Sequence, residues 1–201
     1  LLNAITITQY HDRVLQHQSW PVLLYQESDP LWLAIDKNHF FNCSLWKEED
    51  QARRKNVPDS EIAANKRAID SFNQQRNDAV EIIDEVLLMQ YTNIAPASDS
   101  WTNSETPGGI IDRLSILSLK IHHMAIQAHR DDADDNHRNA CQLKLAKLQE
   151  QRTDISICFD RFIIGIANGT AHFKIYRQFK MYNDPKTNPY LYATIPSCAQ
   201  R

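Results

Sequence analysis

The sequence predicts an all-α fold: an antiparallel bundle of five to six helices with one very long helix near the C-terminus. Three observations carry this. Glycine is scarce, 4 of 201 residues, about 2% against an average near 7%, which disfavours turn-rich β folds, dinucleotide fingerprints and glycine-rich phosphate loops. Apolar residues recur at helical spacing over long segments, and no convincing strand pattern interrupts them. The boundaries carry Asp29-Pro30, Thr106-Pro107 and Asn168-Gly169, residue types that begin and end helices. With 42% hydrophobic and 23% charged residues, the composition is that of a chain that buries a core. Its length suits one helical domain over 1–201.

A first helix from Ala4 to Gln18 aligns Ile7, Tyr10, Val14 and Leu15, and Trp20-Pro21 ends it. Asp29 as N-cap and Pro30 at the first position open a second, to about Lys55. Asp59 or Ser60 caps a third, to about Tyr91, with Ile62, Ile69, Phe72, Val80, Ile83 and Leu87 on its apolar face. Residues 93–105 form a polar loop, the candidate for a long, mobile connection. Thr106-Pro107 starts a fourth helix through Ile110, Leu114, Leu117 and Ile121 to about Arg130. The acidic run Asp131 to Asp135 suits the positive end of the long helix that follows, to about Ala167. Residues 170–201 read as a docking tail with a short helix near Phe173 to Met181 and turns at Asn183-Asp184-Pro185 and Asn188-Pro189.

A net charge of −3 offers no cationic surplus for nucleic acid. No run of about 18 apolar residues provides a transmembrane segment. Cys43, Cys141, Cys158 and Cys198 lack metal-type spacing and read as buried free thiols of a reducing, cytoplasmic compartment. The chain starts at Leu1 rather than Met, as a trimmed chain or part of a longer one does, so a missing leader carries no weight.

The third helix bears a polar stripe, Lys66, Asp70, Asn73, Asn77, Glu81 and Asp84, about 27 Å long at 1.5 Å per residue. It is either a solvated face or a set held by partners. Asn is a poor mid-helix residue, which favours partners for Asn73 and Asn77. The second helix offers Lys37, Asn38, Asn42, Trp46, Glu49, Asp50 and Arg53. Trp46 shares the face of Glu49 and Asp50 and reads as a core ring or a stacking platform. Glu81 and Asp84 at i, i+3, with Glu49 from the preceding helix, have the form of an oxygen-only site for Mg²⁺ or Mn²⁺. This resembles the all-helical nucleoside triphosphate pyrophosphohydrolases, which use ExxE and then ExxD. The match is partial, because Trp46 and Ala52 stand where the first motif needs an acid.

Ser104 to Gly109 places two of the four glycines at a helix start. It is a capped helix in close packing, or Thr106 and free N–H groups offered to an anion. Arg113 and Lys120 lie seven residues apart on one side of that helix. His122 and His123 are adjacent, so they diverge and do not chelate together. Arg177, Lys180, Tyr182 and Asn183 form either a phosphate or carboxylate clamp or part of a packed tail.

The strings LWKEEDQAR at 45–53, KRAID at 66–70 with Asn73, Arg76 and Asn77, SETPGGIIDRLSILSLK at 104–120 and YRQFKMYNDP at 176–185 resemble a bacterial family termed domain of unknown function 4254, over about residues 40–192. The resemblance implies a helical protein whose genes lie near glycosyltransferases of lipopolysaccharide assembly, hence a surface-glycan role. Lys47 stands where many members carry His, which argues against metal or acid–base work there. The expectation is a polar cleft in which Glu49, Asp50, Asp70 and Asp84 act as catalytic carboxylates. Trp46, Arg53, Lys66, Asn73, Asn77, Thr106, Arg113, Lys120, Arg177, Lys180, Tyr182 and Asn183 hold a phosphorylated or nucleotide-linked sugar. The rivals are an Mg²⁺-dependent nucleotide pyrophosphohydrolase and a non-catalytic scaffold docking a glycosyltransferase.

Overall fold

The structure, a computed structural model, describes residues 1–25, 28–177 and 181–192. Among these residues lie α1 (Ala4–Leu15), α2 (Pro30–Gln51), α3 (Asp59–Gln90), α4 (Pro107–Ala128), α5 (Asp135–Ala167) and α6 (Pro189–Tyr192). Two short strands, β1 (Trp101–Thr102) and β2 (Ala171–His172), and a 3-10 turn at Met181–Asn183 complete the set. The protein is all-α in character, and none of its helices is long and apolar enough to cross a membrane.

The helix starts follow local chemistry. Asn3 Oδ1 accepts from Thr6 N at 2.9 Å, and Asp29 Oδ1 from Leu31 N at 2.9 Å. Thr106 Oγ1 accepts from Gly109 N at 3.1 Å, and Asp134 Oδ1 from His137 N at 2.7 Å. Each side chain satisfies an N–H left free in the first turn. The start of α3 departs from expectation: Pro58 occupies the cap position, no side chain caps it, and Asp59 and Ser60 are already helical. Both α1 and α2 end a turn early, at Leu15 and Gln51.

α2 packs along α3, α4 along α5, and α1 lies against α4 and α5. Between α2 and α3 the partners are Arg54 with Glu61, Glu48 with Asn65 and Phe41 with Phe72. The main core gathers Ile35, Ile83, Leu87, Ile111, Leu114 and the fully buried Phe159. A second cluster, Ile121, Ala128, Cys141 and Leu145, sits between α4 and α5.

Three expectations change beyond α5. The 173–177 segment is not helical. Ala171 and Phe173 are buried and Ile175 half-buried, while Lys174 and Tyr176 are exposed. That period-two alternation belongs to extended chain. The rest of the expected helix, Gln178 to Lys180, lies outside the described residues. Strands exist, although each has two residues: β1 pairs with β2 in parallel, Trp101 opposite Ala171 and Thr102 opposite His172. The 93–105 loop, expected to be mobile, is tied down. Ala97 N donates to Gly169 O at 2.8 Å, Trp101 N to Thr170 O at 3.1 Å and Asn103 N to His172 O at 3.0 Å. Gly169, at φ +73°, turns the chain back to make this possible. Cys43 and Cys141 are buried free thiols, Cys158 is free but exposed, and Cys198 lies outside the described residues.

Candidate functional site

Where α2, α3 and α4 meet, their side chains border a cleft of about 340 Å³. α2 contributes Asn42, Trp46, Glu49 and Asp50, with Arg53 just past its end. α3 contributes Asn73 and Arg76, and α4 the apolar Ile116 and Leu119. The indole of Trp46 lies flat on His123, with centroids 4.4 Å apart and planes at 3°. Trp46 Nε1 and His123 Nε2 are buried without a hydrogen-bond partner among the described residues. Burial, followed by the neighbouring His122 charge, lowers the His123 pKa, so the ring is held neutral.

Beside the cleft lies a polar network inside the bundle. Asp112 Oδ1 accepts from Asn38 Nδ2 and Asn42 Nδ2, each at 2.8 Å. Asn42 also reaches Ser115 Oγ at 2.9 Å, and Ser115 pairs with His39 Nδ1 at 2.8 Å. His39 stacks on His11 at 4.4 Å, and both rings are fully buried. Burial drives His11 well below its usual pKa and His39 down to about 3. On the cleft side, Arg76 Nε stands 3.9 Å from Asp112 Oδ1, and Arg76 Nη2 donates to Asn77 Oδ1 at 3.2 Å.

The structure brings Trp46, Glu49, Asp50, Arg53 and Asn73 to one cleft and disperses the rest. Glu49 pairs with Arg53 at 2.7 Å on an exposed surface. Lys66 and Asp70 pair with each other one turn from Asn73, outside the cleft, and Asp70 raises the Lys66 pKa. Asn77 is buried against Arg76. Arg113 pairs with Glu105 at 2.8 Å. Arg113 and Lys120 line a separate hollow of about 250 Å³, which touches the cleft only through Ile116. Arg177 holds Glu81 at 3.0 Å and Glu85 at 2.6 Å instead of facing the cleft. Tyr182 and Asn183 are exposed in the 3-10 turn, and Lys180 lies outside the described residues.

Two expectations are corrected. The α4 N-terminus is not open to a ligand: Gly108 N donates to Asp84 Oδ1 at 2.6 Å, and Gly109 N to Thr106 Oγ1. Asp84 is therefore a buried carboxylate serving α4 as a cap from α3. Burial pushes its pKa up to about 6 against the pull of hydrogen bonds from the Thr106 side chain and the Gly108 N–H. The proposed metal set of Glu49, Glu81 and Asp84 does not meet. Glu48 lies opposite Asn65, and Asp84 is nineteen residues farther along α3, about 28 Å at 1.5 Å per residue. Among the described residues no three His, Cys, Asp or Glu side chains converge on a point that could hold a metal ion.

Asp112, Arg76 and His123 were missed as site residues. One signal was available: Asn38, His39 and Asn42 interrupt an otherwise apolar stripe with Ile35 and Cys43, a pattern that demands buried partners. Their partners lie seventy or more positions away, which no local pattern reveals. The model of a family described as "Protein of unknown function (DUF4254)" matches residues 32–175, a span that holds every cleft residue. No curated protein and no solved structure matches.

Proposed function

This chain belongs to the DUF4254 family, and from that premise we propose that its α2–α3–α4 cleft binds a phosphorylated or nucleotide-linked sugar in the bacterial cytoplasm, for surface-glycan (lipopolysaccharide) biosynthesis. One observation carries the reading. A cavity of about 340 Å³ combines an indole, two carboxylates, two guanidinium groups and two amides. That volume suits a small ligand, and a sugar phosphate uses each of these groups. Glu49, Asp50, Asn42 and Asn73 match hydroxyls in both hydrogen-bonding roles. Arg53 and Arg76 match phosphoryl oxygens, and the Trp46 ring gives the sugar's C–H face an apolar wall. The reading takes α2 and α3 as antiparallel, which the opposed numbering of Arg54–Glu61, Glu48–Asn65 and Phe41–Phe72 supports.

A second reading, a scaffold docking a glycosyltransferase, draws on exposed apolar residues of α5: Leu143 at 73%, Ile157 at 47% and Ile164 at 50% exposure. Thermal unfolding with uridine diphosphate glucose, hexose 1-phosphates and inorganic phosphate separates the two. A ligand at a hundred times its Kd adds about 2.7 kcal/mol, a rise of several degrees. Trp46→Ala and Arg76→Gln should abolish the rise. No shift with any compound at millimolar concentration favours the scaffold.

A further inference from the structure

Asp112 is held more firmly than any carboxylate that lines the cleft. Both amide bonds fall on Oδ1, at 2.8 Å each, from Asn38 and Asn42, which are 0% and 4% exposed. Ser115 and His39, both fully buried, stand behind Asn42. Two elements thus commit a dry layer of polar side chains to one carboxylate. Buried polar groups are a poor source of stability, whereas such a supporting layer fixes the direction of a functional group. Neither amide bond uses Oδ2, and the Asp112 side chain is 16% exposed. The Arg76 guanidinium, 25% exposed, stands beside it with Nε 3.9 Å from Oδ1. Asn42 and Arg76 both line the cleft, and Asp112 adjoins both, so the carboxylate stands next to the cleft.

We propose that Asp112 and Arg76 form the recognition centre of this cleft, and that its ligand is a phosphate ester with a free hydroxyl on the carbon next to the esterified one. The inference rests on the sugar-phosphate reading above and specifies it. A fixed carboxylate oxygen accepts an O–H, and a guanidinium donates to a phosphoryl oxygen. Side by side, they match neighbouring substituents of one molecule. Inorganic phosphate would meet the Asp112 charge, and an uncharged sugar would leave Arg76 without an anion. A hexose 1-phosphate, free or within a nucleotide sugar, satisfies both.

Titration calorimetry tests this with glucose and galactose 1-phosphates, their 2-deoxy counterparts and inorganic phosphate. The wild type should bind one hexose 1-phosphate and lose about tenfold or more on removal of the 2-hydroxyl. Asp112→Asn keeps an oxygen for Asn38 and Asn42. It should lose a similar factor for the parent compound and no more for the 2-deoxy compound. Arg76→Gln should weaken both. If wild-type protein binds parent and 2-deoxy compounds equally, or folded Asp112→Asn binds like wild type, the recognition centre is wrong while the sugar-phosphate cleft stands. If the wild type binds none of the probes, both fall. Should Asp112→Asn not fold, the wild-type comparison of parent with 2-deoxy probe still decides.

Discussion

Burial acts with opposite sign on the acids and bases inside this bundle. Asp84 keeps its proton up to about pH 6 in the folded chain, against 3.8 when free. Between those values the folded state binds more protons, so this residue's contribution to stability falls as pH rises from about 4 to 6. His11 and His39 run the other way, because the unfolded chain protonates near 6.5 and the folded chain does not. Their contribution falls as pH drops below 6.5. The difference between wild type and Asp84→Asn isolates the carboxylate, since the histidine part is common to both. From pH 4 to pH 7 the variant should gain about 2 kcal/mol relative to wild type, read from urea unfolding at the two pH values. A difference that does not change with pH would show that Asp84 does not titrate in this window. The sequence offered Asp84 as a catalytic and metal-binding carboxylate and could not show its partner. A carboxylate on one helix and the Gly108 N–H of another are related only by packing.

At the level of helices, the junction of α3 and α4 depends on a missing side chain. A Cβ on Gly108 would lie 2.6 Å from Val80 O and 2.8 Å from Asp84 Oδ1. Neither backbone nor capping carboxylate can yield without parting the helices. Gly108→Ala should therefore cost about 1–3 kcal/mol. Gly109→Ala, whose Cβ would meet Thr106 Oγ1 at 3.4 Å and Glu105 Cγ at 3.6 Å, should be nearly silent. Equal melting temperatures for the two variants would refute the close-contact account. The SETPGG string was thus informative about α4 and misleading about an anion. Helix starts at Asp29 and Thr106 were legible because a cap acts within four residues, whereas the acidic run before α5 marked its start without singling out Asp134 as the cap. The cleft was half legible. Trp46, Glu49, Asp50 and Arg53 share one helix end, whereas Asp112, which stands beside the cleft, comes from α4. The polar stripe of α3 divides because its inner members face Arg76 and Gly108 while Lys66 and Asp70 face solvent.

Across the whole molecule, the β1–β2 pair joins the α3–α4 connection to the chain beyond α5. Trp101 covers Phe162 at 5.4 Å, and His172 bonds Ser100 at 3.0 Å and Thr102 at 2.7 Å. Gly169, with positive φ and a would-be Cβ 2.9 Å from Ala95 O, is its hinge. Gly169→Ala should open the closure, seen as faster hydrogen exchange at the Ala97, Trp101 and Asn103 amides while α2 and α3 stay protected. Uniform acceleration across the bundle would instead make the closure part of one global unit. The same closure places an order on synthesis. Thr102 and His172 are seventy positions apart, and a ribosome extends a chain by about 5–20 residues per second. The first strand thus leaves the exit tunnel about 4–14 seconds before its mate. During that interval Trp101 has no Phe162 to cover, and a nascent-chain chaperone that reads exposed aromatic residues has its clearest opportunity there.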